Sequence, residues 1–266
     1  MRTRLIYSIF LILALTIWSC NTNSKSKESE VDKRTNIKMI TNYGTMILEL
    51  YNETPLHREN FIKLVNDSVF DSLLFHRVIR DFMIQSGDIN SKNAVPEAPL
   101  GDGDFPYRID AEFDTKLFHK KGVLAAARTG NPERASSSTQ FYIVQGKVLN
   151  DSLLTIAEER INNWLAQHYS NNAPENKALN DSLQKAIETE DRESYTLYFD
   201  SLRNLAKNFN DFDRYSIPEK HREVYKTMGG TPHLAQNYTV FGEVVQGLEV
   251  VDSIAAVQTD ERDRPY

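Results

Sequence analysis

The sequence predicts a mainly β domain interrupted by an α-helical block. Three observations carry this. From Ile37 onward, short apolar–polar alternations are broken by turn residues, as in NIKMITNYGTMILELY (36–51). Period-two alternation marks strands with one buried face. Between Lys147 and Met228 the apolar spacing lengthens to the helical period over about 80 residues. After Gly229-Gly230 the alternation returns in YTVFGEVV (238–245).

Taken in order, the first alternating pair turns at Asn42-Tyr43-Gly44, a hairpin signal. Thr54-Pro55 then opens a helix, with Thr54 as N-cap, Pro55 at the first helical position, and an apolar face of Phe61, Leu64 and Val65. FHRVIRDFMIQSGD (75–88) reads as a second hairpin, its runs Phe75–Ile79 and Phe82–Gln85 joined at Arg80-Asp81. Residues 88–107 are rich in Pro, Gly and Asp and read as a long surface loop, with Asp102 and Asp104 as solvated turn residues. GVLAAAR (122–128) and STQFYIVQG (138–146) are further strands, and GLEVVDSIAAV (247–257) a short helix.

Within the block, Leu153/Leu154, Ala157, Ile161 and Trp164/Leu165 form one stripe. Tyr195, Tyr198/Phe199, Leu202, Leu205/Ala206 and Phe209 form another, read as core, with Leu179, Leu183 and Ile187 on a helix between them. Ser216-Ile217-Pro218-Glu219 has the spacing of a capping box for a fourth helix, which Gly229-Gly230 can end. The expected domains are therefore 37–146 with 229–266, and the helical insertion 147–228.

The N-terminus differs from the rest. Arg2 and Arg4 precede a mostly apolar run from Leu5 to Trp18, then Ser19, the sole cysteine Cys20, and a polar stretch. A basic start, a short apolar run and a small residue at the boundary read as a signal peptide over 1–19. Ile17-Trp18-Ser19-Cys20 resembles the lipobox of bacterial lipoproteins. That resemblance implies a lipid-anchored (palmitate-bearing) Cys20, a tether over 20–36, and a place in the bacterial cell envelope facing the periplasm. The other reading is an uncleaved anchor.

Composition excludes several functions. A net charge of -6 and a pI near 5.6 argue against nucleic acid as partner, because phosphate binding needs a basic face. The six histidines show no metal spacing. No dinucleotide fingerprint, GxSxG or HExxH occurs.

The second hairpin poses the functional question. Arg77 shares a face with Phe75 and Ile79, and Gln85 with Met83. A charge among apolar side chains is costly unless something pairs with it. The run from Phe70 to Asp88 resembles the signature of the cyclophilins, a class of peptidyl-prolyl cis–trans isomerases. ETPLHRENFIKL (53–64), GVLAAARTG (122–130), SSTQFYIV (137–144) and TPHLAQNYTVFGEVVQGLEVVDSI (231–254) agree in order.

The resemblance implies a cyclophilin-like antiparallel β-barrel capped by two helices, with its groove on the outer surface. It implies that Arg77 is the catalytic arginine and Gln85 the amide beside it. Phe82, Met83, Tyr142, Leu234 and Tyr238 would wall a proline pocket, and the backbone at Ala127 and Arg128 would hold the peptide. Here Tyr142 stands for a usual phenylalanine, Tyr238 for a histidine, Arg128 for an asparagine and His233 for a tryptophan. The family chain also runs past a DRP-type segment, here Asp263-Arg264-Pro265, into a closing strand, whereas this sequence ends at Tyr266. Either another segment completes the sheet edge or the barrel stays open there.

The expected activity is isomerisation of proline-containing polypeptides, assisting the folding of exported proteins, with no cofactor or metal. The alternative is a non-catalytic proline-peptide-binding chaperone or scaffold acting mainly through the helical insertion. That insertion joins the strand bearing Tyr142 to the segment bearing Leu234, so it is expected beside the groove.

Overall fold

The computed structural model describes residues 33–266. The expected signal peptide, Cys20 and most of the tether lie outside the described residues. Arg34–Tyr266 form one unit.

Its centre is a seven-stranded antiparallel sheet. β1 (Thr35–Thr41) and β2 (Gly44–Leu50) pair along their full length, from Thr35↔Leu50 to Thr41↔Gly44. α1 (Pro55–Asn66) follows, then the hairpin of β3 (Arg77–Ile79) and β4 (Met83–Ser86). Asp81 turns that hairpin at φ 61°, a left-handed conformation aspartate tolerates. β5 (Arg108–Ile109) pairs with β7 (Ser136–Ser137) in a separate two-stranded ribbon. β6 (Val123–Ala126), β8 (Phe141–Val144) and β9 (Val240–Gln246) complete the main sheet, in the order β1-β2-β9-β6-β8-β4-β3. After β9 comes α6 (Leu248–Ala255).

The strand interiors are apolar on both faces, and the period of two sorts them. Met46, Leu48, Ile84, Leu124 and Ile143 form one cluster, with Phe61 of α1 and Val251 and Ile254 of α6 packed on it. Met83, Val123, Ala125, Tyr142 and Val144 form the second cluster. Two helices therefore cover one face, and the other is left to build a site.

The sheet does not close among the described residues: β1 and β3 are its two edges. A groove of about 950 Å³ runs along β1, lined by Ile37, Met39, Phe70, Phe75 and Val257 among others. The segment after α6 lies instead beside β3, where Val78 N–H donates to Asp263 O at 2.7 Å.

The helical block consists of α2 (Asp151–Asn172), α3 (Lys177–Glu188), α4 (Arg192–Ala206) and α5 (Glu219–Thr227). Asn150 caps α2 by accepting from Leu153 N–H at 2.9 Å. Four local expectations differ from what is found. Thr54 stands at the N-cap as expected, but its side chain makes no cap bond; Glu112 accepts from Leu56 and His57 N–H, both at 3.0 Å, because a carboxylate serves the positive end of a helix better than a hydroxyl. The capping box at Ser216 does not form, since Glu158 of α2 accepts from Ile217 N–H at 2.8 Å and Ser216 Oγ at 3.3 Å. Asp104 is not a solvated turn residue but a strut, accepting from Thr139 N–H and Oγ1, both at 3.0 Å, and from the Ser138 hydroxyl. The α4 stripe buries Leu202 and Ala206, whereas Tyr195 and Phe199 stack on each other at 5.6 Å and stay exposed.

Candidate active site

Strand register assembles the site. Arg77 faces Gln85, Gln85 faces Tyr142, and Tyr142 faces Ala125, so one row crosses β3, β4, β8 and β6 on the face the two helices leave free. Side chains two apart share a face, which puts Met83 beside Gln85 on that surface. Met83 and Tyr142 are buried there. Phe82 flanks the row from the hairpin end, with its ring stacked on His233 at 5.7 Å. Leu234 comes from a single helical turn, Pro232–Leu234, and Tyr238 from the segment after it. Ala127 and Arg128 continue the chain beyond β6.

All nine residues singled out from the sequence as catalytic or substrate-binding converge on one cleft of about 290 Å³. His76, Leu100, Gly101 and Arg262 also line it. Phe82, Met83, Tyr142, Leu234 and Tyr238 make the apolar part, with the Tyr142 and Tyr238 rings edge to face at 5.8 Å.

Arg77 is held from outside the sheet. Its Nε donates to Asp263 Oδ2 at 3.3 Å, and both side chains are about two-fifths exposed, 43% and 40%. The Nη groups have no protein partner among the described residues. Gln85 is not bonded to Arg77; its Nε2 donates to Gln140 Oε1 at 3.0 Å. Gln140 in turn donates to Gly101 O at 2.8 Å and Gly103 O at 3.1 Å. Gln85 thus belongs to a chain of amides that ties the 88–107 loop to the cleft.

The segment Ala127–Arg128 has unpaired backbone groups on one side. Ala127 N–H donates to Gln140 O and Ala127 O accepts from Ser137 N–H, both at 2.9 Å. The N–H and C=O of Arg128 have no partner among the described residues, leaving a donor and an acceptor for an extended chain. The Arg128 guanidinium is held by protein acceptors: Nε donates to Asn237 O at 2.8 Å, Nη2 to Asn237 Oδ1, and Nη1 to Thr129 O at 3.2 Å.

The histidines around the cleft are neutral. Burial lowers His119 to about 3, with a smaller contribution from His233, and its Nε2 lies 3.0 Å from Tyr142 Oη. Burial, then Arg160, lowers His233 to about 4. Burial lowers His76 as well, and its ring nitrogens have no protein partner among the described residues.

α2 packs against the turn bearing Leu234, and Ile161 and Leu165 share a cluster with Ala235. The insertion therefore lies beside the cleft. Asp263, Gln140 and Trp164 of α2 were not legible as site neighbours, because their contacts join segments far apart in sequence. The Asp-Arg-Pro spelling marked the segment of Asp263 but not its partner.

The family model for "Cyclophilin type peptidyl-prolyl cis-trans isomerase/CLD" matches residues 36–171 and 219–266. The unmatched stretch spans α3 and α4. A Staphylococcus haemolyticus protein assigned by name to the peptidyl-prolyl cis-trans isomerases is 26% identical over 246 residues, 92% of each chain. One from Staphylococcus aureus strain USA300, with the same assignment, is 26% identical over 230 residues, 86% of this chain and 85% of the other. A Cryptosporidium parvum cyclophilin type peptidyl-prolyl cis-trans isomerase aligns with a TM-score of 0.49 at 16% identity, covering 88% of this chain and 91% of that one. With the family model matched over residues 36–171 and 219–266, α2 and α5 included, and the row from Arg77 to Ala125 in place, this chain belongs to the cyclophilin-type peptidyl-prolyl cis–trans isomerases.

Proposed function

We propose that this isomerase accelerates cis–trans exchange of Xaa-Pro bonds in exported polypeptides and so assists their folding, anchored by a lipid on Cys20 to a bacterial envelope membrane and facing the periplasm. The observation that carries the catalytic part is the convergence of Arg77 with an apolar slot on one outer face.

An unaided Xaa-Pro bond exchanges over tens to hundreds of seconds, behind a barrier of about 18–20 kcal/mol. Twisting the amide destroys its resonance and returns lone-pair density to the prolyl nitrogen. Stabilising that state requires a slot for the ring, a donor aimed at the nitrogen or adjacent carbonyl, and exclusion of water. Phe82, Met83, Tyr142, Leu234 and Tyr238 form the slot. The Nη groups of Arg77 supply the donors, while Asp263 occupies Nε. The free N–H and C=O of Arg128 pair with the peptide backbone. Gln85, through Gln140, keeps the loop at Gly101 against the cleft. No step requires a nucleophile, metal or base.

Exchange spectroscopy of an Ala-Pro peptide with a form starting at Asn21 tests the reading. Accelerated exchange supports it; a folded protein that binds the peptide without accelerating exchange supports the chaperone alternative. Envelope placement is tested separately by palmitate labelling, which Cys20→Ser should abolish.

A further inference from the structure

The cleft rim carries more positive charge than the expected chemistry uses. Arg128 and Arg262 line it together with Arg77. Arg134 reaches the same side, its guanidinium carbon 4.7 Å from the Phe113 ring centre and 5.9 Å from that of Trp164. Arg128 sits 5.4 Å from the Tyr238 ring centre and 5.6 Å from that of Trp164, so one indole of α2 contacts both guanidinium groups. Arg108 joins through Thr129 Oγ1 at 3.0 Å.

Among the described residues, none of Arg108, Arg128 and Arg134 makes an ion pair. Their protein acceptors are neutral: Asn237, Thr129 and Gln236. This occurs in a chain of net charge -6, in which carboxylates outnumber basic groups. The setting is also partly dry: desolvation, with Arg134 and Arg108 acting in the same sense, lowers Arg128 below the usual arginine value, and His168 nearby is lowered to about 4 by burial, Arg134 and Arg128.

Packing alone does not account for this. Stacking on Trp164 uses the guanidinium faces, and a guanidinium carries five N–H donors. Arg134 and Arg108 each spend one on a protein acceptor and Arg128 spends three, so donors remain on all three. Like charges gathered around the partly buried Arg128 oppose folding unless an anion relieves them. The corner adjoins the Arg128 backbone groups that are free to pair with an extended peptide.

We infer that Arg128 and Arg134, backed by Arg108 and framed by Trp164, form a subsite for a carboxylate side chain of the peptide, an aspartate or glutamate within a few residues of the proline. This rests on the isomerase reading for the peptide's place in the cleft. The helical insertion thereby gains a defined role, because α2 supplies the aromatic wall that orients both guanidinium groups. The substrate class is acidic proline-containing segments.

The test walks one Glu through the three positions before and the three after the proline of an Ala-Pro peptide, with Gln and Lys in matched peptides. Exchange rate and affinity, the latter by chemical-shift titration, are both read. At one or more positions Glu is expected to exceed Gln by roughly five-fold in kcat/KM or affinity, about 1 kcal/mol, with Lys below Gln. Salt should shrink the difference. Arg128→Gln/Arg134→Gln, with folding checked by urea midpoint, should bring the ratio to about one. Equal rates and affinities for Glu and Gln at every position overturn the subsite while leaving the isomerase intact. A Glu preference that survives in the double variant also overturns it. If no peptide is accelerated, the isomerase reading fails, and the affinity ratios still decide the subsite.

Discussion

Asp263→Asn isolates how Arg77 is held. At 3.3 Å and an effective dielectric near 20, the gross attraction between the two charges is about 5 kcal/mol. Both side chains are about two-fifths exposed, 43% and 40%, so solvent screening and side-chain entropy reduce the net value to about 0.2–1 kcal/mol. Stability should therefore change little. Asparagine suits the site because Asp263 sits at φ 63°, which alanine would adopt only with strain, and its backbone carbonyl keeps the bond to Val78.

The catalytic effect should be larger than the effect on the fold. With Nε engaged, the guanidinium plane is fixed and both Nη groups remain for the twisted amide. Freeing a rotamer-rich side chain costs about 0.5–1.5 kcal/mol when it must be ordered again. We expect kcat/KM for an Ala-Pro peptide to fall roughly three- to ten-fold, with the urea midpoint nearly unchanged. An unchanged or higher kcat/KM in a folded Asp263→Asn protein would refute the orienting role and recast Asp263 as a brake on the charge of Arg77.

Other perturbations probe the scaffold. Tyr142→Phe leaves the ring in the slot but removes the partner of the buried His119 Nε2, so it should cost about 1–3 kcal/mol of stability while sparing turnover; comparing urea denaturation with peptide exchange separates the two. Gly87→Ala should cost on the order of 3 kcal/mol or more, because its Cβ would stand 2.1 Å from Thr139 O at φ 94°, a contact and a backbone angle that both oppose it; a urea midpoint like the wild type's would contradict that. Stability should fall from pH 7 to pH 5: His119, His233 and His168 are lowered to about 3, 4 and 4 in the fold, so below 6.5 the unfolded chain takes up protons that the folded one refuses. Each histidine kept neutral to pH 5 costs up to about 2 kcal/mol, less for partly exposed His168, and a flat urea midpoint over this window would count against the neutral assignments.

Much of the site was legible because strand periodicity and turn chemistry are local. FHRVIRDFMIQSGD fixed both the hairpin and the face shared by Met83 and Gln85, and the structure sets Arg77 opposite Gln85 in register. What escaped were bonds whose partners are distant in sequence. Glu112 rather than the hydroxyl of the N-cap residue Thr54 accepts the first N–H groups of α1, Glu158 displaces the capping box at Ser216, and Asp263 reaches Arg77 across 186 positions. Each is a carboxylate whose partner lies far away in sequence and is met only once folding brings the two together. The half-exposed aromatics of α4 escaped for another reason: periodicity identifies an apolar face but not whether anything covers it.

The central claim is that Arg77 stabilises the twisted amide. A single aimed donor is worth on the order of 3 kcal/mol in dry oxyanion-type sites, and the two-fifths exposure of Arg77 and its pairing with Asp263 reduce that. The direct measurement is kcat/KM for an Ala-Pro peptide by exchange spectroscopy on wild type and Arg77→Ala, with peptide affinity measured in parallel. The account predicts a loss of roughly 10- to 100-fold in kcat/KM with affinity nearly retained. Equal turnover in both proteins, or a loss explained wholly by weaker binding, would contradict it.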